Sequence, residues 1–102
     1  MLLRFVIFLI FSLTGMSMTV IDVRTEAEWN TGHLEGARHI EWQDILKISS
    51  DIQKDEEIYL YCRSGNRSGK ATKILQEAGY INSKNAGSII DASELLGIKI
   101  ID

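Results

Sequence analysis

Apolar and polar positions alternate between two periods along this chain, and the alternation sets out its elements. Thr19 to Val23 (TVIDV) is short, β-branched and apolar, which suits a buried strand. Thr25 has Glu28 three residues on, the pattern of a capping box, and predicts a short helix over Glu26 to Asn30 that stops at Thr31 and Gly32. Ala37 to Ile40 reads as a second short strand. Trp42 to Ile48 carries apolar residues at 42, 45, 46 and 48, which predicts a helix lying over the sheet. The polar stretch Ser49 to Glu57 is a surface connection. Ile58 to Cys62 (IYLYC) is the clearest strand. From Ser68 to Ala78 the apolar residues Ala71, Ile74, Leu75 and Ala78 fall at i, i+3, i+4 and i+7, one helical face, and Gly79 follows as the stop. Tyr80 to Asn85 predicts a fourth strand, diluted by Asn82, Ser83 and Lys84. Ser88 to Leu96 predicts a last helix ended by Gly97. The tail IKIID has no assignment from pattern alone. Strands separated by helices imply a parallel α/β sheet with right-handed crossovers.

The first eighteen residues follow another logic. One basic residue, Arg4, precedes the apolar run Phe5 to Leu13, and small or polar residues follow. This is the layout of a secretory signal peptide, with Gly15 and Ser17 at the −3 and −1 positions. The expected organisation is a leader over 1–17 and one domain over 18–102, with an exported, periplasmic location. Two other readings fit the run. One is an uncleaved anchor, although the apolar stretch is short against the roughly 20 residues of a span. The other is a buried segment of the domain itself. A lipoprotein signal would need a cysteine after the run, and none is there.

At 102 residues the chain holds one domain. A formal charge of −3 argues against a general nucleic-acid binder. Losing Arg4 with the leader takes that charge to −4. Asp55, Glu56 and Glu57 are read as a solvated surface.

The candidate chemistry rests on one residue. Cys62 is the only cysteine, so it has no intramolecular disulfide partner. It stands at the carboxyl end of the clearest strand, where ligands gather in parallel α/β sheets. Arg63, Ser64, Gly65, Asn66 and Arg67 follow as a tight loop before the helix. Gly65 can take positive φ and Asn66 tolerates it. Such a loop can turn its N–H groups onto one point as an anion nest backed by a helix N-terminus. A thiol there has its pKa lowered by amide dipoles and nearby cations. The spacing from Cys62 to Arg67 is C-x4-R. Cysteine-dependent phosphatases use C-x5-R, because their loop cradles the oxygens of a phosphoryl group. The shorter loop suits one sulfur atom plus one further atom bonded to it, which matches a persulfide.

The pieces VIDVRTEAEW (20–29), GHLEGARHI (32–40), IYLYCRSGNRSGKA (58–71), ILQEAGY (74–80) and NAG (85–87) together resemble the single-domain rhodaneses. The closest resemblance is to small periplasmic thiosulfate sulfurtransferases of the phage shock protein E type. The pieces keep the family's order and cover nearly all of the chain after the leader. The resemblance implies a rhodanese-like α/β fold with a four-stranded parallel sheet in the order 4-3-1-2. It also implies Cys62 as the nucleophile that takes the sulfane sulfur of thiosulfate, releases sulfite and holds a persulfide. Cyanide, a thiol or a protein then removes the sulfur. N–H groups from Arg63 to Arg67 would stabilise the charged sulfur. Arg67, and secondarily Arg63, would attract the sulfonate, and Ser68 would donate a hydrogen bond into the loop. No metal or organic cofactor is implied, and His33 and His39 have no ligand-like companions. Asp22 with Arg24, and His33, are read as residues that tie loops to the sheet, and Trp29 and Trp42 as core.

Three departures from the family pattern stand out. Gly87-Ser88 replaces a Gly-Gly pair, Glu41 replaces a proline, and the extra N-terminal strand of larger rhodaneses is expected to be missing. Two competing functions keep part of this reading. A persulfide carrier or regulatory module would keep the fold and the loop. A cysteine-dependent phosphatase or arsenate reductase is disfavoured by the C-x4-R spacing and the lack of a nearby general acid.

Overall fold

The computed structural model describes residues 17–102; the leader expected over 1–17 lies outside the described residues except for Ser17. The chain runs β1 (Met18–Asp22), α1 (Glu26–Trp29), β2 (His33–Leu34), β3 (Arg38–His39), a 3-10 helix (Trp42–Ser50), β4 (Glu57–Cys62), α2 (Asn66–Glu77), β5 (Ser83–Ser88), α3 (Ile89–Leu96) and β6 (Ile100–Ile101). Four strands form a parallel sheet in the order β3-β1-β4-β5. This is the expected order.

Both faces of the sheet are covered, and strand alternation decides which side chain goes where. Ile58, Leu60 and Cys62 of β4 point with Ile21 and Val23 into a core closed by Ile45, Ile48, Ala71, Leu75 and Tyr80. Tyr61 points the other way, into a smaller core with Val20, Leu34, Ala86 and Ala92. The Cys62 thiol is thereby placed on the α2 side of the sheet.

Four expectations are refined. The element after Glu41 is a 3-10 helix over 42–50, not an α-helix. Its inward residues Trp42, Ile45 and Ile48 recur every three positions, the period of a 3-10 turn, and Leu46 is exposed. Glu41 itself sits at φ −61° and ψ 150°, an angle proline would take, so the backbone keeps its course without one. The fourth strand starts at Ser83 instead of Tyr80, because Tyr80 is buried in the core and Ser83 N–H closes a turn onto its carbonyl. The tail finds a place as β6, antiparallel to β2 with His33 opposite Ile101. Finally, α2 begins at Asn66, two residues earlier than its apolar face suggests.

Among the described residues no helix is long and apolar enough to cross a membrane.

Candidate active site

Cys62 ends β4 with none of its surface exposed. Three donors converge on its sulfur: Gly65 N–H at 3.0 Å, Ser68 N–H at 3.4 Å and the Ser68 hydroxyl at 3.3 Å. The turn that brings them there depends on Gly65, which caps α2 in the left-handed region at φ 95°. Burial pushes the Cys62 thiol up. The Ser68 hydroxyl and the N–H groups of Ser68, Ser64 and Gly65 together pull it down more strongly, so the net shift is below the usual thiol value. Of the Arg63–Arg67 amides expected to face the sulfur, Gly65 N–H is within hydrogen-bond distance, and Ser68 N–H joins it from one residue beyond.

The loop residues divide by role. Arg63 is exposed, with no hydrogen bond or ion pair among the described residues. Ser64 is exposed, and its hydroxyl accepts from Asn66 N–H at 3.4 Å. Asn66 opens α2 and is exposed. Ser68 is buried beside the sulfur. Arg67 is not an open anion clamp. Its two terminal nitrogens donate to the two carboxylate oxygens of Glu28, at 2.7 and 2.9 Å. Its charge still acts on Cys62.

Glu28 is legible in the sequence only as a cap, and that role holds: Thr25 N–H and hydroxyl both donate to its Oε1, at 3.1 and 3.0 Å. Nothing in the sequence pairs it with Arg67, 39 residues away. The Arg67 bonds hold the Glu28 carboxyl at about 2, against a burial effect of opposite sign and with help from Thr25. A depressed carboxyl stabilises the fold above its ordinary value near 4.5 and loses that contribution as pH falls toward 2. Glu28→Gln is therefore expected to cost about 1 kcal/mol at pH 7 for this partly exposed pair. The gap to the parent protein should close as pH approaches 2, read by urea unfolding at each pH.

Asp22 and Arg24 form a buried pair beneath the site. The Asp22 carboxylate accepts from Arg24 N–H, Nε and Nη2 at 2.7–3.0 Å, and Nη2 also donates to the Gly32 carbonyl at 2.6 Å. His39 Nε2 donates to the Arg24 carbonyl at 2.7 Å, and His33 Nδ1 to the Trp29 carbonyl at 3.3 Å. Asp22, Arg24 and His33 tie loops to the sheet, as read from sequence, and His39 adds a tie that the sequence reading did not assign. Trp42 packs against the core, but Trp29 does not: it is half-buried and stacks on His33, with ring centroids 3.5 Å apart and planes at 4°.

At the rim, Gly87 has φ 88°, and a Cβ there would lie 2.7 Å from an Asp91 oxygen. Ser88, standing in place of a second glycine, caps α3: its hydroxyl accepts from Asp91 N–H at 3.0 Å, and its own N–H donates to Asp91 at 3.1 Å. The departure from Gly-Gly thus gains a capping box. Asn85 also reaches the loop, a contact that sequence pattern marked only as part of the NAG motif.

A buried thiol stands at a strand end of a small parallel α/β domain, faced by two N–H groups and a hydroxyl and followed by a helix. The Rhodanese-like domain family matches residues 12–91, and the chain belongs to that family. It is 34% identical over 73 residues to the thiosulfate sulfurtransferase PspE of Escherichia coli, covering 70% of each chain. It is 34% identical over 82 residues to a sulfurtransferase of Allochromatium vinosum, covering 80% of this chain and 77% of that one. A rhodanese with anions from E. coli superposes with a TM-score of 0.68 at 31% identity, over 74% of this chain and 91% of that one. Other relatives are longer, and the chain spans 48% of one and 35% of another.

Proposed function

We propose that this protein is a thiosulfate sulfurtransferase working through a persulfide on Cys62. The observation that carries the reading is the convergence of Gly65 N–H, Ser68 N–H and the Ser68 hydroxyl on one buried sulfur. Donors so arranged stabilise an anionic sulfur without reorganising. In the first half-reaction the thiolate attacks the sulfane sulfur of thiosulfate. A new S–S bond forms, the S–S bond of thiosulfate breaks, and sulfite leaves with the bonding pair. In the second half, cyanide or a thiolate attacks the outer sulfur and the Cys62 thiolate is restored. No electrons enter or leave, so ping-pong turnover needs no redox cofactor.

Cation roles follow from the contacts. Arg67, occupied by Glu28, holds the loop and lends its charge to the sulfur, and exposed Arg63 is the cation assigned to the sulfonate of the donor. The four residues between Cys62 and Arg67 support a sulfur cargo over a phosphoryl group. The apolar run in residues 1–17 supports an exported, periplasmic setting.

Incubation of the purified domain with thiosulfate should add about 32 Da, one sulfur atom, and cyanide should then release thiocyanate with turnover. A mass gain without turnover would point to a persulfide carrier. No mass gain, together with hydrolysis of an aryl phosphate, would overturn the sulfur reading.

A further inference from the structure

Asn85 lies 17 residues beyond Ser68, and three bonds fix its side chain, to Gly65, to Ser68 and to Gly87 of its own strand. Its Nδ2 donates to the Gly65 carbonyl at 3.0 Å, and its Oδ1 accepts from Gly87 N–H at 3.0 Å. A carbonyl can only accept and an N–H can only donate, so these partners fix which way the amide faces. The remaining lobe of Oδ1 accepts from the Ser68 hydroxyl at 2.7 Å. That same hydroxyl lies 3.3 Å from Cys62 Sγ.

A serine hydroxyl carries one proton, so the two contacts compete. An irregularity in the β4–β5 register creates this geometry. Leu60 pairs with Asn85 but Tyr61 pairs with Gly87, leaving Ala86 as the extra residue of a bulge beside the site. Asn85 consequently stays on the α2 face, level with Leu60, while Gly87 N–H turns back to its side chain.

We propose that Asn85 is a positioning residue that acts on Cys62 through Ser68, by competing with the sulfur for the single hydroxyl proton. When the sulfur is a neutral thiol, its S–H can donate to Ser68 Oγ while Ser68 donates to Asn85. When the sulfur is a thiolate, the Ser68 proton turns to Sγ. When sulfur has been accepted, the charge sits one atom further out and the proton returns to Asn85. No bond other than a hydrogen bond changes in this exchange. Asn85 thereby ties the donor around Sγ to where the charge resides, which deepens the sulfur-transfer reading and rests on Cys62 being the reacting atom.

The charged groups on the elements that build the site are the Arg67–Glu28 pair from α2 and α1, the Asp22–Arg24 pair of β1 and its following turn, Arg63 in the loop, and Asp91 at the start of α3. All are retained in the variants below, so their effect is common to every protein compared.

The test is a double-mutant cycle on the parent protein, Asn85→Ala, Ser68→Ala and the double variant, with Cys62 titrated through the pH dependence of iodoacetamide alkylation. Ser68→Ala should raise the apparent pKa of Cys62 by about one unit, the worth of a hydrogen bond to a charged group. The change caused by Asn85→Ala should be about half a unit more downward with Ser68 present than in the Ser68→Ala background. This difference isolates the Ser68 route, because the lost Gly65 contact contributes in both backgrounds. If Asn85→Ala does not fold, Asn85→Leu, near-isosteric and without an acceptor, takes its place in the cycle with the same expected sign. Equal shifts in both backgrounds would overturn the proposal. Alkylation needs no sulfur donor, so a flat cycle leaves sulfur transfer standing, and absence of persulfide leaves the cycle readable.

Discussion

Cys62→Ser is expected to abolish persulfide formation and to lower thiocyanate production from thiosulfate and cyanide by on the order of 10⁴-fold or more. The loop would still offer its donors at the same place, since serine is nearly isosteric and a buried hydroxyl can accept from Gly65 and Ser68. Those donors lower the thiol toward ionisation at neutral pH, but a serine hydroxyl starts too far above neutrality for a few hydrogen bonds to ionise it. An alkoxide also cannot form the S–S bond that stores the transferred sulfur. The variant should therefore be folded by circular dichroism, unfold near the parent temperature, and be inert. Retention of a tenth of parental turnover would remove Cys62 from the role of nucleophile.

Arg24→Met is expected to do the reverse, leaving the chemistry untouched in principle and removing the fold. Asp22 has no exposed surface, and its carboxylate is held by the N–H, Nε and Nη2 donors of Arg24. Of these, only the backbone N–H donor survives the substitution. An uncompensated buried charge costs roughly 3–5 kcal/mol. A domain of this size commonly holds about 5–10 kcal/mol in total. The Gly32 carbonyl loses its 2.6 Å donor as well, which loosens the turn before β2. Urea unfolding should show a midpoint shifted by half or more of its parental value, with a large unfolded fraction at 37 °C. Adding Asp22→Leu to Arg24→Met should recover much of the loss, because apolar replacement of both partners removes the stranded charge. Failure of that recovery would mean the pair does more than satisfy itself.

Together these variants separate the two jobs done at the carboxyl ends of β1 and β4. On β4 the chain stops at a thiol faced by N–H and hydroxyl donors of the loop and helix that follow. One strand away, on β1, it stops at a carboxylate that Arg24 neutralises, and that pair anchors the turns around the site. The two strand ends already differ in the sequence reading, Cys62 as the candidate nucleophile and Asp22 with Arg24 as a tie between loops and sheet. Both are buried, and the difference lies in their partners: a guanidinium neutralises Asp22, whereas neutral hydrogen-bond donors face Cys62.

Where signals are local, the chain can be read directly. The capping box of Thr25 and Glu28, the apolar face of α2 and the alternation in Ile58–Cys62 each concern residues within a turn or a strand, and each appears in the structure. The 3-10 helix is present as a period of three at Trp42, Ile45 and Ile48, obscured by Leu46, an apolar residue on its exposed side. The pattern starts β5 too early because Tyr80 looks like a strand residue and acts as a core plug.

The sequence by itself determined a parallel α/β domain with one thiol at the end of its central hydrophobic strand, a glycine to turn the loop, and a helix to follow. Backbone periodicity, turn chemistry and the position of a single cysteine are properties of neighbouring residues, and they survive without knowledge of the rest. Only the tertiary structure decided that Glu28 takes the fork of Arg67, that Asn85 meets Ser68, and that β6 covers β2. The first two contacts join residues 39 and 17 positions apart, and β6 lies in sequence far beyond β2. The tertiary fold brings each pair together, side chain to side chain for Glu28 with Arg67 and Asn85 with Ser68, and strand to strand for β6 with β2. It sets them within the roughly 3 Å at which hydrogen bonds form or fail and which no local propensity encodes.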